Sequence, residues 1–185
     1  MKTAISRFRL RHHLARFAQD RRGVSAVEFA MLLPLMITLY LGSVEISQGV
    51  GIDRKVTLAS RTVADLASQV STIVTADMTN ILNATSAVIA PYDASKLKVT
   101  ISAVTVDASS VAKIKWSCTR NGTARGVGST VTLPAALNVA NTTLVWGEAS
   151  YAYTPTIGYV VTGTLNLSDQ IFMRPRLSDS VDATC

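Results

Sequence analysis

The chain has 185 residues, 48% of them apolar and 16% charged, with a net charge of +6. That length supports one modest core rather than two, and the composition is too apolar for a disordered chain and poor in charge for a soluble one. Residues 1–23 hold seven basic groups and one acidic group, whereas residues 24–185 hold eleven of each, so the excess is not a basic folded surface and no nucleic-acid partner is expected.

The first stretch, Lys2 to Arg22, carries all of that charge and reads as a cytoplasmic leader covering residues 1–23. Ile5, Phe8, Leu14 and Phe17 lie among its arginines, which fits either a basic amphipathic helix on the inner leaflet or an unstructured arm. His12 and His13 are adjacent, not at helical metal-ligand spacing, and read as polar leader residues. From Phe29 to Val44 there is no charge in sixteen residues, and from Val24 to Val44 only Glu28 is charged. A spanning helix needs about 20 mostly apolar residues, so this segment is long enough to cross a bilayer. The flanking arginines keep the N-terminus cytoplasmic and send the rest of the chain across. The competing reading is a buried core helix. Glu28 is the anomaly, because a carboxylate at the centre of a spanning helix costs about 2.5–3.5 kcal/mol. Either it has a partner or a reader, or it stays wet at the interface.

Ile52, Val56, Ala59, Val63, Leu66, Val70 and Ile73 recur at spacings of 4 and 3, an apolar helical seam over three heptads. One helix is therefore expected over 24–73, about 75 Å long, kinked at Pro34 and loosened at Gly42, Gly49 and Gly51. The seam can pack on the chain's own head or on another subunit. A head over 74–185 follows. Asp77 is a candidate cap for a short helix carrying Met78, Ile81, Leu82, Thr85 and Val88 on one side, with Pro91 ending it. Strands are then expected at Leu97–Ile101, at Ile114–Cys118 with the turn signal Asn121-Gly122 after it, at Leu144–Tyr153, at Ile157–Leu165 and at Leu167–Met173. Helices first and antiparallel strands after define an α+β fold class.

Cys118 and Cys185 both lie on the exported side. An oxidising compartment pairs such thiols, which would pin the C-terminal tail to the second strand; free or intermolecular thiols remain open. No His lies beyond residue 23, and there is neither a phosphate loop nor a Cys-x-x-Cys motif. Catalytic triads and histidine metal sites are thereby excluded from the exported part. The Gly122, Gly126 and Gly128 cluster reads as loop, and Trp116, Trp146, Tyr151 and Tyr153 read as strand core in preference to a sugar- or peptide-binding surface. No catalytic residue, metal or cofactor is expected, and the chain is not read as an enzyme.

The run Arg21-Arg22-Gly23-Val24-Ser25-Ala26-Val27-Glu28-Phe29 ahead of the apolar segment resembles the class III signal of prepilins. The wider stretch from Arg22 to Leu35 is similar to the TadE-like family of Tad (Flp-type) pilus assembly proteins, and Tyr151 and Tyr153 look like that family's Tyr-x-Tyr segment. The resemblance implies a pilin-like head, a prepilin peptidase that cuts between Gly23 and Val24, and a recognition segment of Gly23, Val24, Glu28 and Phe29. It implies a minor pilin or pseudopilin in the inner membrane, its head periplasmic, entering a surface pilus or its base. Its partners would be other pilin or pseudopilin subunits and the inner-membrane Tad assembly platform, and its roles assembly, adhesion or secretion. The chain is far longer than the small major Flp pilins, which favours a minor subunit. Two alternatives stay open. Ser47-Gln48-Gly49 fits an ordinary signal peptidase site, which would release a soluble binding protein beginning at Val50. An uncleaved chain would be a single-pass assembly factor of the same system.

Overall fold

The computed structural model describes residues 22–155, 158 and 162–185. The leader residues 1–21, including His12 and His13, lie outside them, as do Ile157 and residues 159–161 of the strand expected at Ile157–Leu165; Gly158 and residues 162–164 are not in a strand, and only Leu165 of that stretch belongs to one. The chain divides into two units, Met1–Val44 and Glu45–Cys185.

Helix α1, Arg22–Ser68, starts in the first unit and runs unbroken through Pro34 and all three glycines at 42, 49 and 51. Thr38 Oγ1 donates to the Pro34 carbonyl at 2.9 Å, one turn back. In the first unit its apolar side chains face outward: Met31 is 76% exposed and Leu39 65%. A core helix buries such residues, so the core-helix reading is set aside. This is a helix long and apolar enough to cross a membrane.

In the second unit, α1 is followed by β1 (Thr72–Ile73), α2 (Thr75–Ile89), a single 3-10 turn at Ala94–Lys96, and strands β2 (Leu97–Val106), β3 (Ala112–Arg120), β4 (Thr142–Tyr153), β5 (Leu165–Met173) and β6 (Asp182–Ala183). Strands β2 to β5 form an antiparallel sheet of order β3-β2-β4-β5, while β1 and β6 pair in parallel. The fold is α+β, as the element order predicts.

The expected seam packs on the chain's own head from Ile52 to Val63, whereas Leu66 is half-buried and Val70, beyond the end of the helix, is exposed. Ile52, Val56, Ala59 and Val63 are buried, joined by Ser60, Ala64, Ala67 and Ser68. They face Leu97, Val99, Ile101 and Ala103 of β2 and Val145, Ala149, Tyr151 and Tyr153 of β4 in one core. Fully burying each valine contributes about 1.5–3 kcal/mol. The small residues let the helix lie close: a Cβ on Gly147 would stand 2.6 Å from the Ser60 carbonyl oxygen and 2.9 Å from the Ala64 Cβ.

The helix stops at Ser68, short of the expected Ile73. The Arg176 amide donates to the Ser68 carbonyl at 2.9 Å, and the Asp182 and Thr184 amides donate to Ser71 and Ile73 at 3.0 Å. The C-terminal tail thus captures carbonyls that a longer helix would use, and Ile73 is buried in a strand instead. A second correction concerns Asp77. Helix α2 has Val74 at its N-cap position, with no side-chain cap bond, and Asp77 lies inside the first turn, where its charge favours the positive end of the helix dipole.

A third correction concerns β3. Trp116 pairs with Ala103 but Ile114 pairs with Val104, leaving Lys115 as an extra residue. Such a bulge turns the strand's face over. Trp116 and Cys118 therefore join the helix-side core, whereas Ile114 and Ala112 join a second cluster with Val104, Val106, Leu133, Leu144 and Trp146 on the other face of the sheet.

Candidate functional site

Gly23, Val24, Glu28 and Phe29 all lie in the first two turns of α1. Val24 and Phe29 are 53% and 58% exposed, and a Cβ on Gly23 would meet nothing within 4 Å. Val24 and Glu28 are four residues apart, so they share one helical face. The first turn of α1 carries no acidic residue.

Among the described residues no group of three or more His, Cys, Asp or Glu could hold a metal ion. Cys118 and Cys185 form a disulfide with their Cα atoms 5.6 Å apart. It ties the tail to β3 next to a second link, the Trp116 Nε1 donating to the Val181 carbonyl at 2.7 Å. The four aromatics that could have formed a binding platform are buried in strands. Trp146 is covered by the Arg125 guanidinium at 3.9 Å and stacks on Phe172 with ring centroids 5.1 Å apart. Arg125 in turn holds both Glu148 oxygens, at 2.8 and 2.6 Å, and this pair raises the arginine's pKa further above its already high value. A polar recess of about 530 Å³ lies beside Glu148 on the sheet's outer face, lined in part by Lys98, Thr100, Ser150 and Gln170. It brings together no nucleophile with a histidine base.

Sequence reasoning missed Glu45. It follows the uncharged run directly and is 2% exposed inside the head; its backbone carbonyl accepts a 3.1 Å hydrogen bond from the Tyr153 hydroxyl. The abrupt return of charge after sixteen uncharged residues was the available signal. Burial pushes the Tyr153 phenol up, and the Glu45 carboxylate adds to the effect; burial also raises Tyr151, with Asp93 adding to it. A phenol raised in the folded state keeps its stabilising contribution below the unfolded value of about 10 and loses it as pH climbs past that point. Thermal unfolding of the full chain in detergent is therefore expected to be independent of these groups up to about pH 10 and to weaken above it. In Tyr151→Phe/Tyr153→Phe the alkaline loss should shrink, and an unchanged alkaline slope would contradict the assignment.

An apolar helix of spanning length leading into an α+β head is the plan of a single-pass membrane protein. Residues 23–65, under a quarter of the chain, match the family model described as TadE-like protein, and over that stretch the chain is similar to this family. No curated protein and no solved structure matches the chain.

Proposed function

We propose that the chain is a minor pilin or pseudopilin of a Tad-type (type IVb) pilus, cut by prepilin peptidase after Gly23 and held in the inner membrane by residues 24–44 with its head outside the cytoplasm. The observation that carries this reading is the placement of Gly23 and Glu28 at the start of an exposed apolar helix inside the TadE-like match. The chemistry of such a subunit is done to it. Gly23 lets a protease approach the backbone closely. Cleavage would leave a positive amine on Val24 at the positive end of the helix dipole, an unfavourable pairing. Glu28, one turn away, offsets it in its own chain or in a neighbour. Paired across subunits, the two charges would fix axial register, because breaking a buried pair by removing one partner costs about 3–5 kcal/mol.

Release at Gly49 fits less well. That site lies within α1, and cutting there would remove Glu45, which is buried in the head. Deletion of the gene is expected to abolish or sharply reduce surface pili, and Glu28→Ala is expected to give a protein that is made but fails to assemble. Normal piliation by both strains, counted by electron microscopy, would overturn the proposal.

A further inference from the structure

Within the second unit, α1 and the sheet enclose a groove of about 260 Å³ with an almost wholly apolar lining. Glu45, Ile46, Gly49, Val50 and Asp53 line it from the helix, and Tyr153, Leu165 and Leu167 from β4 and β5, with little of the exposed lining polar. Its mouth is apolar as well: Ile46 is 56% exposed, Val50 47% and Leu165 42%. The ring of Tyr153 lies against Gly49, where an added Cβ would touch it at 3.4 Å. From Thr154 to Ser168, the connection between β4 and β5 and the start of β5, there is no charged residue.

The position of this groove along the chain says what covers it. Residues 24–44, at about 1.5 Å of rise each, make about 31 Å of helix and fill a hydrocarbon core about 30 Å thick. Ile46 and Val50 then fall within about 9 Å beyond the core, the depth of the glycerol and headgroup layer, where tyrosines also concentrate. Asp53 and Arg54 follow within the next turn, at the depth where an aspartate is hydrated and an arginine reaches lipid phosphate.

We infer that the groove-bearing rim of the head is seated in the bilayer interface, with phospholipid filling the groove formed by Ile46, Val50, Tyr153, Leu165 and Leu167. This rim of the head is then a lipid-contacting surface. This rests on reading residues 24–44 as a membrane span, and the test separates the two.

Single-cysteine variants Leu39→Cys, Val50→Cys, Leu58→Cys and Leu165→Cys of the full chain are labelled with an environment-sensitive fluorophore. Cys118 and Cys185 are paired and leave no competing thiol. The proteins are placed in vesicles of phosphatidylethanolamine and phosphatidylglycerol containing lipids spin-labelled at shallow or deep positions. Leu58, 53% exposed and about 12 Å of helix beyond Val50, is the matched control. Labels at 50 and 165 are expected to be quenched by the shallow spin label at least about twofold more than the label at 58, as their interfacial depth requires. The label at 39 is expected to be quenched by the deep one. Equal quenching at 50, 165 and 58 with position 39 still quenched overturns this inference and leaves the span intact. Positions 50 and 165 shielded from aqueous iodide yet untouched by spin-labelled lipid would mean a protein occupant, which also overturns it. An unquenched position 39 overturns the span and the inference together.

Discussion

Gly147→Ala is expected to destabilise the head by about 1–3 kcal/mol, the usual cost of overpacking a tight core. The new Cβ would stand 2.6 Å from a backbone oxygen of Ser60 and 2.9 Å from the Ala64 Cβ, with Val63 Cγ1 at 3.2 Å. None of these is the free end of a flexible side chain, so relief requires the helix to move off the sheet. That movement would also loosen Val56, Ala59 and Val63, which are fully buried on the same face. For a chain of this size the expected fall in Tm is about 2–4 °C per kcal/mol. Gly147→Val should cost more. Gly126→Ala is the control: a Cβ there meets nothing within 4 Å, so the change should stay within about 0.5 kcal/mol. Thermal unfolding of the full chain in detergent reads all three, and an unchanged Tm for Gly147→Ala would contradict the close contact.

The second large effect belongs to the disulfide. Cys118 and Cys185 are separated by 67 positions, and closing a loop of that size removes about 4 kcal/mol of unfolded-chain entropy on the polymer model, within a usual range of about 2–5 kcal/mol for native bonds. Cys118→Ser/Cys185→Ser is therefore expected to lower Tm more than Gly147→Ala does, and reductant should lower the wild-type Tm while leaving the double variant unchanged. The loss should begin locally. The tail supplies the Val181 carbonyl to Trp116, the Arg176 amide to Ser68 and all of β6 to β1. Hydrogen exchange should therefore accelerate first at Ile73, Asp182 and Thr184, before the sheet. A reductant-insensitive wild type would contradict the staple.

These two features show where sequence reading stops. The apolar span, the seam from Ile52 to Val63 and strands β2, β4 and β5 are local patterns of hydrophobicity, and the structure carries each of them. Ile73 was assigned to the helix because its spacing continued the seam, yet its backbone partner lies in β6, about 110 residues away in the chain, and no local pattern announces a two-residue strand. Ile114 alternates perfectly with Trp116 and Cys118, yet the extra residue Lys115 puts it on the opposite face; a bulge is a property of the pair of strands, not of one. Asp77 has the chemistry of a cap, but where α2 begins is set by Val74 and β1. Gly147 carries no turn signal, and its role follows only from the helix that lies over it. The proposed processing residues Gly23, Val24, Glu28 and Phe29 form a linear motif, which is read without reference to the fold. The Cys118–Cys185 bond was foreseeable only as a pairing of the two available thiols, with its geometry left to the fold.

The account turns on what happens at one peptide bond. The most direct measurement is the N-terminal residue of the chain recovered from the membrane fraction of cells that carry the whole Tad system, by Edman sequencing or terminal-peptide mass spectrometry. Val24 at the terminus, lost when Gly23 is replaced by a bulky residue or when the prepilin peptidase is absent, is the result expected. A terminus at Val50, or an intact leader whatever the state of the peptidase, would contradict it.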